Sequence, residues 1–291
     1  MMTQTVYESS PTKRHRRTRE QLVALRGQLR DLMANEYPMT VRQVFYRAVS
    51  AGLVPKTEQA YKNDVGRLLV LMRRDGQIPY SWIADNTRWQ RKPRTFSSAE
   101  EALQQTARTY RRAVWDDMPA YVEIWTEKDA LAGVLMEETD PWDVPLMVSR
   151  GFSSASYLWE AAENIKAVGK PAFLYYFGDH DPSGVHIDRN INRQLRALAP
   201  DAEITFRRVA VLREQIAELR LPTRPTKRTD SRSKTFEGES VEVDAIPPGQ
   251  LRVIVRECIE RHVDHRQFEV LQVAERSERE LLMRLAARWK T

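Results

Sequence analysis

Between residues 121 and 211, short apolar runs and amphipathic stretches take turns, and this alternation limits the fold more than any other feature of the chain. Residues 121–125, 145–149, 172–177 and 203–211 read as strands, and 129–138, 154–168 and 182–198 read as the helices between them. Strands alternating with helices over about 90 residues predict a parallel sheet with right-handed crossovers. The third run, 172–177, is apolar and aromatic and is bounded by Pro171 and Gly178, so it reads as a short buried strand.

Acidic residues follow the strand ends. Asp179 and Asp181 come just past the third strand, and Asp181 precedes Pro182 as an N-cap precedes a proline at the first helical position. Open parallel sheets bind ligands outside the carboxyl ends of their strands. Glu127, in Thr126-Glu127-Lys128, stands past the end of the first strand, so a trio of acids can converge on one edge. Carboxylates that close repel unless a cation or proton lies between them, and magnesium, which takes oxygen ligands, suits the place. The plainer alternative is that Asp179 ends a strand and Asp181 only caps a helix. His180 lies between the two aspartates, but alternation along the chain turns its ring away. Arg150-Gly151 follows the middle strand, where the glycine allows a tight turn and the arginine either reaches a phosphate or stays solvated.

The 291 residues suggest about two domains with a sizeable core. Hydrophobic content of 42% and charged content of 30% read as a soluble globular chain. No apolar run approaches the ~18–20 residues of a membrane helix, and the N-terminus lacks the apolar core of a secretory signal. The expected location is cytoplasmic, at the nucleoid if the partner is DNA. Cys258, the single cysteine, excludes an internal disulfide and a multi-cysteine zinc site, and its apolar helical setting reads as a buried structural thiol. A net charge of +6 and a pI near 9.4 are compatible with a polyanionic partner. The charge is clustered at Lys13, Arg14, Arg16, Arg17 and Arg19, and again at Arg220, Arg224, Lys227, Arg228, Arg232 and Lys234. Each cluster is either a solvated segment or an arm on phosphates. The sequence has no Gly-rich phosphate loop.

Residues 1–17 read as disordered. Capping boxes at Thr18/Gln21 and Thr40/Gln43 open two helices, and Thr57 starts a third that stops near Gly76. With a strand-like 78–83, these helices fit a winged-helix module. On the second helix, Val41, Val44, Phe45, Ala48 and Val49 make the apolar arc, and Tyr46 falls on an exposed flank beside Arg42. A cation beside a phenol favours the phenolate and can hold a phosphate oxygen, so the pair is a candidate nucleophile site; the alternative is an ordinary tyrosine at a helix margin. Residues 86–97 read as a linker, Ser98/Glu101 open a helix to about Trp115, and 221–240 read as a loop or flexible insert. A short strand at 241–246 and helices at 250–262 and 266–289 close the chain.

Together these motifs resemble a known family. Thr126-Glu127-Lys128-Asp129-Ala130 and Gly178-Asp179-His180-Asp181-Pro182-Ser183-Gly184 look like a Toprim domain of the topoisomerase VI A subunit and meiotic double-strand-break protein family. Val41-Arg42-Gln43-Val44-Phe45-Tyr46 is similar to the segment that ends in that family's DNA-attacking tyrosine, and Val241-Glu242-Val243-Asp244-Ala245 resembles a further family stretch. The resemblance covers roughly residues 20–265. It implies an α/β multidomain chain: a basic segment and helix at 1–36, a winged helix at 37–95, a linker helix at 96–119, a Toprim domain at 120–212, and a basic loop with a helical extension at 213–291.

The activity it implies is type IIB topoisomerase-like cleavage of duplex DNA by transesterification. Tyr46 would be the nucleophile and Arg42 would hold the scissile phosphate. Glu127, Asp179 and Asp181 would bind Mg2+, with Mn2+ as a substitute, and Lys128 and Arg150 would contact DNA. It also implies a homodimer, in which the tyrosine and metal site come from opposite protomers, and a separate ATPase B-type subunit. Phe45 before Tyr46, Thr126, Gly178 and His180 depart from the family pattern, and the chain is short for an A subunit. Two alternatives stand: a Toprim nuclease that hydrolyses DNA with a metal-bound water, and a non-catalytic winged-helix DNA-binding protein.

Overall fold

The computed structural model describes residues 17–84, 93–225, 236 and 238–288. Residues 1–16 with Lys13, Arg14 and Arg16, residues 86–92 of the expected linker, Lys227, Arg228, Arg232 and Lys234, and Trp289 lie outside the described residues.

Helices α1 (Arg19–Met33) and α2 (Val41–Ser50) begin at complete capping boxes, Thr18 with Gln21 and Thr40 with Gln43. Each satisfies two backbone groups that a helix end would otherwise leave bare. The third helical stretch opens as a π-helix, Ala60–Gly66, and continues as α3 (Arg67–Arg74). The expected strand at 78–83 is instead a 3-10 turn, Tyr80–Trp82, with one bridge between Ile83 and Met39. Pro79 before the turn has no N–H to give a ladder. Helix α4 (Ala99–Thr109) starts at Ser98 as expected but ends short of Trp115. Contacts with the last helix draw the chain out of helical form there: the Tyr110 hydroxyl donates to Glu278 and the Arg112 N–H donates to Glu275.

The expected parallel sheet is present. Strands β1 (Tyr121–Thr126), β2 (Leu146–Val148), β3 (Ala172–Phe177) and β4 (Ile204–Ala210) pair in the order β2-β1-β3-β4, all parallel. The crossovers carry α5 (Ala132–Thr139), α6 (Ala155–Val168) and α7 (Pro182–Leu198). Alternate side chains divide the strands between two cores. Trp125, Leu174 and Tyr176 pack with α6 and α7, whereas Val122, Ile124, Tyr175 and Phe177 join a larger core with α1, α2, α5 and α9 (Pro248–Glu260). A sheet covered on both faces explains why its strands read as nearly unbroken apolar runs.

Beyond the sheet come α8 (Arg213–Glu218), α9 and α10 (His265–Arg288), the last lying along α4. The strand expected at 241–246 reduces to a bridge between Val241 and His180 followed by a 3-10 turn, Val243–Ala245. The Asp179 carboxylate takes the Val243 N–H at 2.8 Å, a donor that a strand would have used in its ladder.

The loop from β3 into α7 depends on close backbone approach. A Cβ on Gly184 would lie 2.1 Å from the Asp179 carbonyl oxygen, whereas one on Gly27 in α1 would meet nothing within 4 Å. Gly184→Ala is therefore expected to destabilise the chain by about 3 kcal/mol, the scale of an overpacked core. Gly27→Ala is expected to stabilise it by up to about 1 kcal/mol. Denaturant unfolding of the two variants checks both signs.

Candidate active site

The parallel ladder sets the site. The Glu127 N–H donates to the Phe177 carbonyl at 2.9 Å and the Gly178 N–H to the Ala210 carbonyl at 2.8 Å, so the chain leaves β1 and β3 side by side. This places Glu127 and Asp179 together at the carboxyl edge, with the Asp179 N–H donating to Glu127 Oε2 at 3.2 Å. Burial and the repulsion of Asp179 push the Glu127 carboxyl up to about 7. Asp179 is raised as well, again mainly by burial, although Lys128 opposes the shift.

Asp181 is turned elsewhere. Its Oδ1 accepts the Gly184 N–H at 2.8 Å as the cap of α7, and its Oδ2 faces Arg224 at 3.4 Å. Among the described residues no group of three or more His, Cys, Asp or Glu side chains is gathered closely enough to hold a metal ion. Glu127 and Asp179 adjoin, and Asp181 acts on Glu127 by charge while its own oxygens are engaged by the Gly184 N–H and Arg224. Magnesium is commonly held by one or two carboxylates plus a phosphate, so the donor chemistry of this raised, mutually repelling pair fits the ion. The His180 ring packs at a tilt of 56° against Phe236, and its backbone bridges Val241 in both directions.

The loop carrying both aspartates is clamped from β4. Arg208 donates to the carbonyls of Gly178, Asp179 and Gly184 at 2.9, 3.1 and 2.8 Å and pairs with Asp188 at 2.5 Å. Sequence reasoning did not find this arginine, since an alternating strand position carries no sign of what it faces.

Lys128 is the hub of the site. Its ammonium contacts Asp179 at 2.9 Å, Glu242 at 3.2 Å and Asp244 at 2.6 Å. Burial alone would lower the lysine, but Asp244, Asp179 and Glu242 outweigh it and raise it. Burial likewise pushes Glu242 up, and Lys128 and Arg42 reverse this and hold it at about 2. Thr40 of α2 donates to Asp244 at 3.3 Å, and Arg42 donates to Glu242 at 2.7 Å. Residues 200 positions apart are thus joined in one polar network. Glu242 and Asp244 enter the sequence reading only as part of a motif; two acids in an otherwise apolar run, Val241 to Ile246, were the available signal that they are buried against cations.

Tyr46 requires a correction. The helical wheel puts it on an exposed flank beside Arg42, but the residue is only 4% exposed. Lys56 lies over its ring, 5.5 Å from the centroid, and Phe45 packs beside it. These tertiary neighbours cover a flank that the pattern of one helix leaves open. Tyr46 borders a cavity of about 330 Å3 together with Arg42, Lys56, Tyr61, Arg224 and Glu242. Burial and Glu242 push the phenol up to about 12, with Arg42 and Lys128 pulling the other way.

Arg42 stacks on the Tyr61 ring at 5.0 Å and, despite its burial, is raised by Glu242. Arg150 stands away from the network, paired with Asp129 at 3.0 Å. It holds a left-handed φ of 51°, with Gly151 following at 84°. No helix among the described residues is long and apolar enough to cross a membrane. Cys258 is buried, as its pattern suggests, and its thiol is pushed up to about 12 chiefly by burial.

The Glu127 shift fixes the sign of a pH effect. Between its ordinary value of 4.5 and about 7, the folded chain keeps a proton that the unfolded chain has lost, so this group's contribution to stability falls as pH rises through that window. Glu127→Gln, which cannot ionise, is expected to raise stability at pH 8 by on the order of 2 kcal/mol and to change little at pH 4. Urea unfolding at the two pH values checks this; a loss of stability at pH 8 contradicts it.

Searched against protein-family models and curated proteins, the chain matches none.

Proposed function

We propose that this chain is a Mg2+-dependent DNA-cleaving protein of the topoisomerase VI A type, with Tyr46 as nucleophile. The observation that carries the reading is that Tyr46 shares one cavity with three cations, Arg42, Lys56 and Arg224, while Glu242 in its wall is bound to the lysine that holds Asp179. A phenol, a cationic cradle for phosphate and an acidic pair are the parts that phosphoryl transfer to tyrosine needs. In this reading α1–α3 serve as a winged helix and the parallel sheet as a Toprim domain. The partners are duplex DNA, a second copy of the chain and a separate ATPase subunit.

In the reaction the Tyr46 oxygen bonds to a backbone phosphorus as the bond to the 3′ oxygen breaks. The phenol gives up its proton and the departing 3′ oxygen takes one up, leaving the protein on the 5′ end. A phenol at about 12 is almost wholly protonated at neutral pH, so the cations must bring it down. Arg42 already acts in that direction and would also fix the phosphate, with Lys56 and Arg224 on the other walls. Glu127 and Asp179 would hold Mg2+, which supplies positive charge to the phosphoryl oxygens, and Asp181 would join them on release from Arg224. Lys128 keeps Asp179 in place from behind.

One observation favours a hydrolytic nuclease as the second reading: a Glu127 carboxyl near 7 lies in the range of a general base and adjoins Asp179, whereas Tyr46 rests protonated and covered. Supercoiled plasmid incubated with the protein and Mg2+ or Mn2+, then quenched with detergent, separates the two. Covalent protein on 5′ ends is expected, with Tyr46→Phe and Asp179→Ala each lowering cleavage by about a thousandfold or more. Full cutting by Tyr46→Phe establishes hydrolysis instead, and no cutting by the wild type leaves a DNA-binding protein.

A further inference from the structure

Glu242 is an anion shared among three cations, two of which also pair with other acids: Lys128 with Asp179 and Asp244, and Arg224 with Asp181. Its Oε2 accepts from Arg42 at 2.7 Å and faces Lys128 at 3.2 Å, and its Oε1 faces Arg224 at 3.2 Å. The residue is 7% exposed and forms part of the wall of the Tyr46 cavity. Across that cavity the Lys56 ammonium donates, among the described residues, to the carbonyls of Pro222 at 2.8 Å and Thr223 at 2.5 Å, with Glu242 and Glu239 acting on it by charge alone. A phosphodiester carries one negative charge on two non-bridging oxygens, which is what a carboxylate presents to a fork of guanidinium groups.

We propose that Glu242 is a built-in surrogate for a DNA backbone phosphate, occupying the cradle of Arg42, Lys56 and Arg224 until a phosphodiester displaces it. This rests on the reading above in one respect, that the partner is a nucleic acid, and adds what the free protein does with the site. The segment bearing Glu242 is suited to exchange. It is held at Val241 by two backbone bonds to His180, while Arg224, bonded to Ser240 in both directions, brings one cation to the cavity wall. The carboxylate can leave its cations while its backbone stays anchored. Free protein is thereby kept in a low-affinity form, and DNA must compete with an internal anion.

The test is binding of a fluorescent duplex by anisotropy in EDTA, where no cleavage occurs, with every variant in the Tyr46→Phe background. Glu242→Gln is expected to bind about tenfold more tightly and to steepen the salt dependence by about one phosphate contact. Lys56→Ala and Arg224→Ala are each expected to bind about tenfold more weakly. In thermal denaturation, inorganic phosphate at matched ionic strength is expected to stabilise Glu242→Gln and not the parent. Unchanged or weaker binding by folded Glu242→Gln overturns the proposal. If that variant does not fold, unchanged affinity in both Lys56→Ala and Arg224→Ala overturns it. Chemistry at Tyr46 plays no part in these readouts, so a missing covalent adduct alongside tighter Glu242→Gln binding removes the nucleophile and leaves the phosphate site standing.

Discussion

The ammonium of Lys128 is the contact on which the arrangement depends. It lies among Asp179 at the end of β3 and Glu242 and Asp244 in the turn before α9, while Arg42 and Thr40 bring α2 to the same two acids. Three stretches far apart in sequence meet at one positive charge. Its removal would leave three largely buried carboxylates facing one another, a loss of the ~3–5 kcal/mol kind seen when one member of a buried pair is deleted. The network contributes little through net attraction, because burying the charges costs nearly as much as pairing them returns. Its effect is to specify which segments lie together.

Chemistry follows from that specification. A parallel ladder delivers Glu127 and Asp179 to one edge whatever the helices do. Tyr46 reaches the neighbourhood only because α2 is tied to Glu242 and Asp244, whose own turn is tied to Asp179 through the Val243 N–H. The cavity at Tyr46 and the acidic pair therefore belong to one electrostatic unit. A change of charge at Glu242 acts on the phenol directly, and through Lys128 it acts on Asp179.

Much of this was legible in the chain. The alternation that announced the sheet, the capping boxes at Thr18 and Thr40, and the Asp181-Pro182 start of α7 are local patterns, and local patterns survive folding. The failures are tertiary. Residues 78–83 resemble a strand in composition, but Pro79 and the absence of a neighbouring strand at all but one position leave a single bridge. Residues 110–115 continue a helical pattern that Glu275 and Glu278 of α10 override. Tyr46 looked exposed because a helical wheel has no knowledge of Lys56. Glu242 looked secondary because its partners lie up to 200 residues away, beyond a Pro- and Arg-rich stretch that has no periodicity.

One measurement bears most directly on whether the phenol and the acidic pair form a single site. With tyrosines labelled at the ζ carbon, Mn2+ titrated into the protein should broaden the Tyr46 resonance well before that of Tyr80, which is 65% exposed and lies outside the network. The broadening should disappear in Asp179→Ala. A Tyr46 signal that stays sharp while the protein demonstrably binds Mn2+ would contradict the unit described here and place the ion elsewhere.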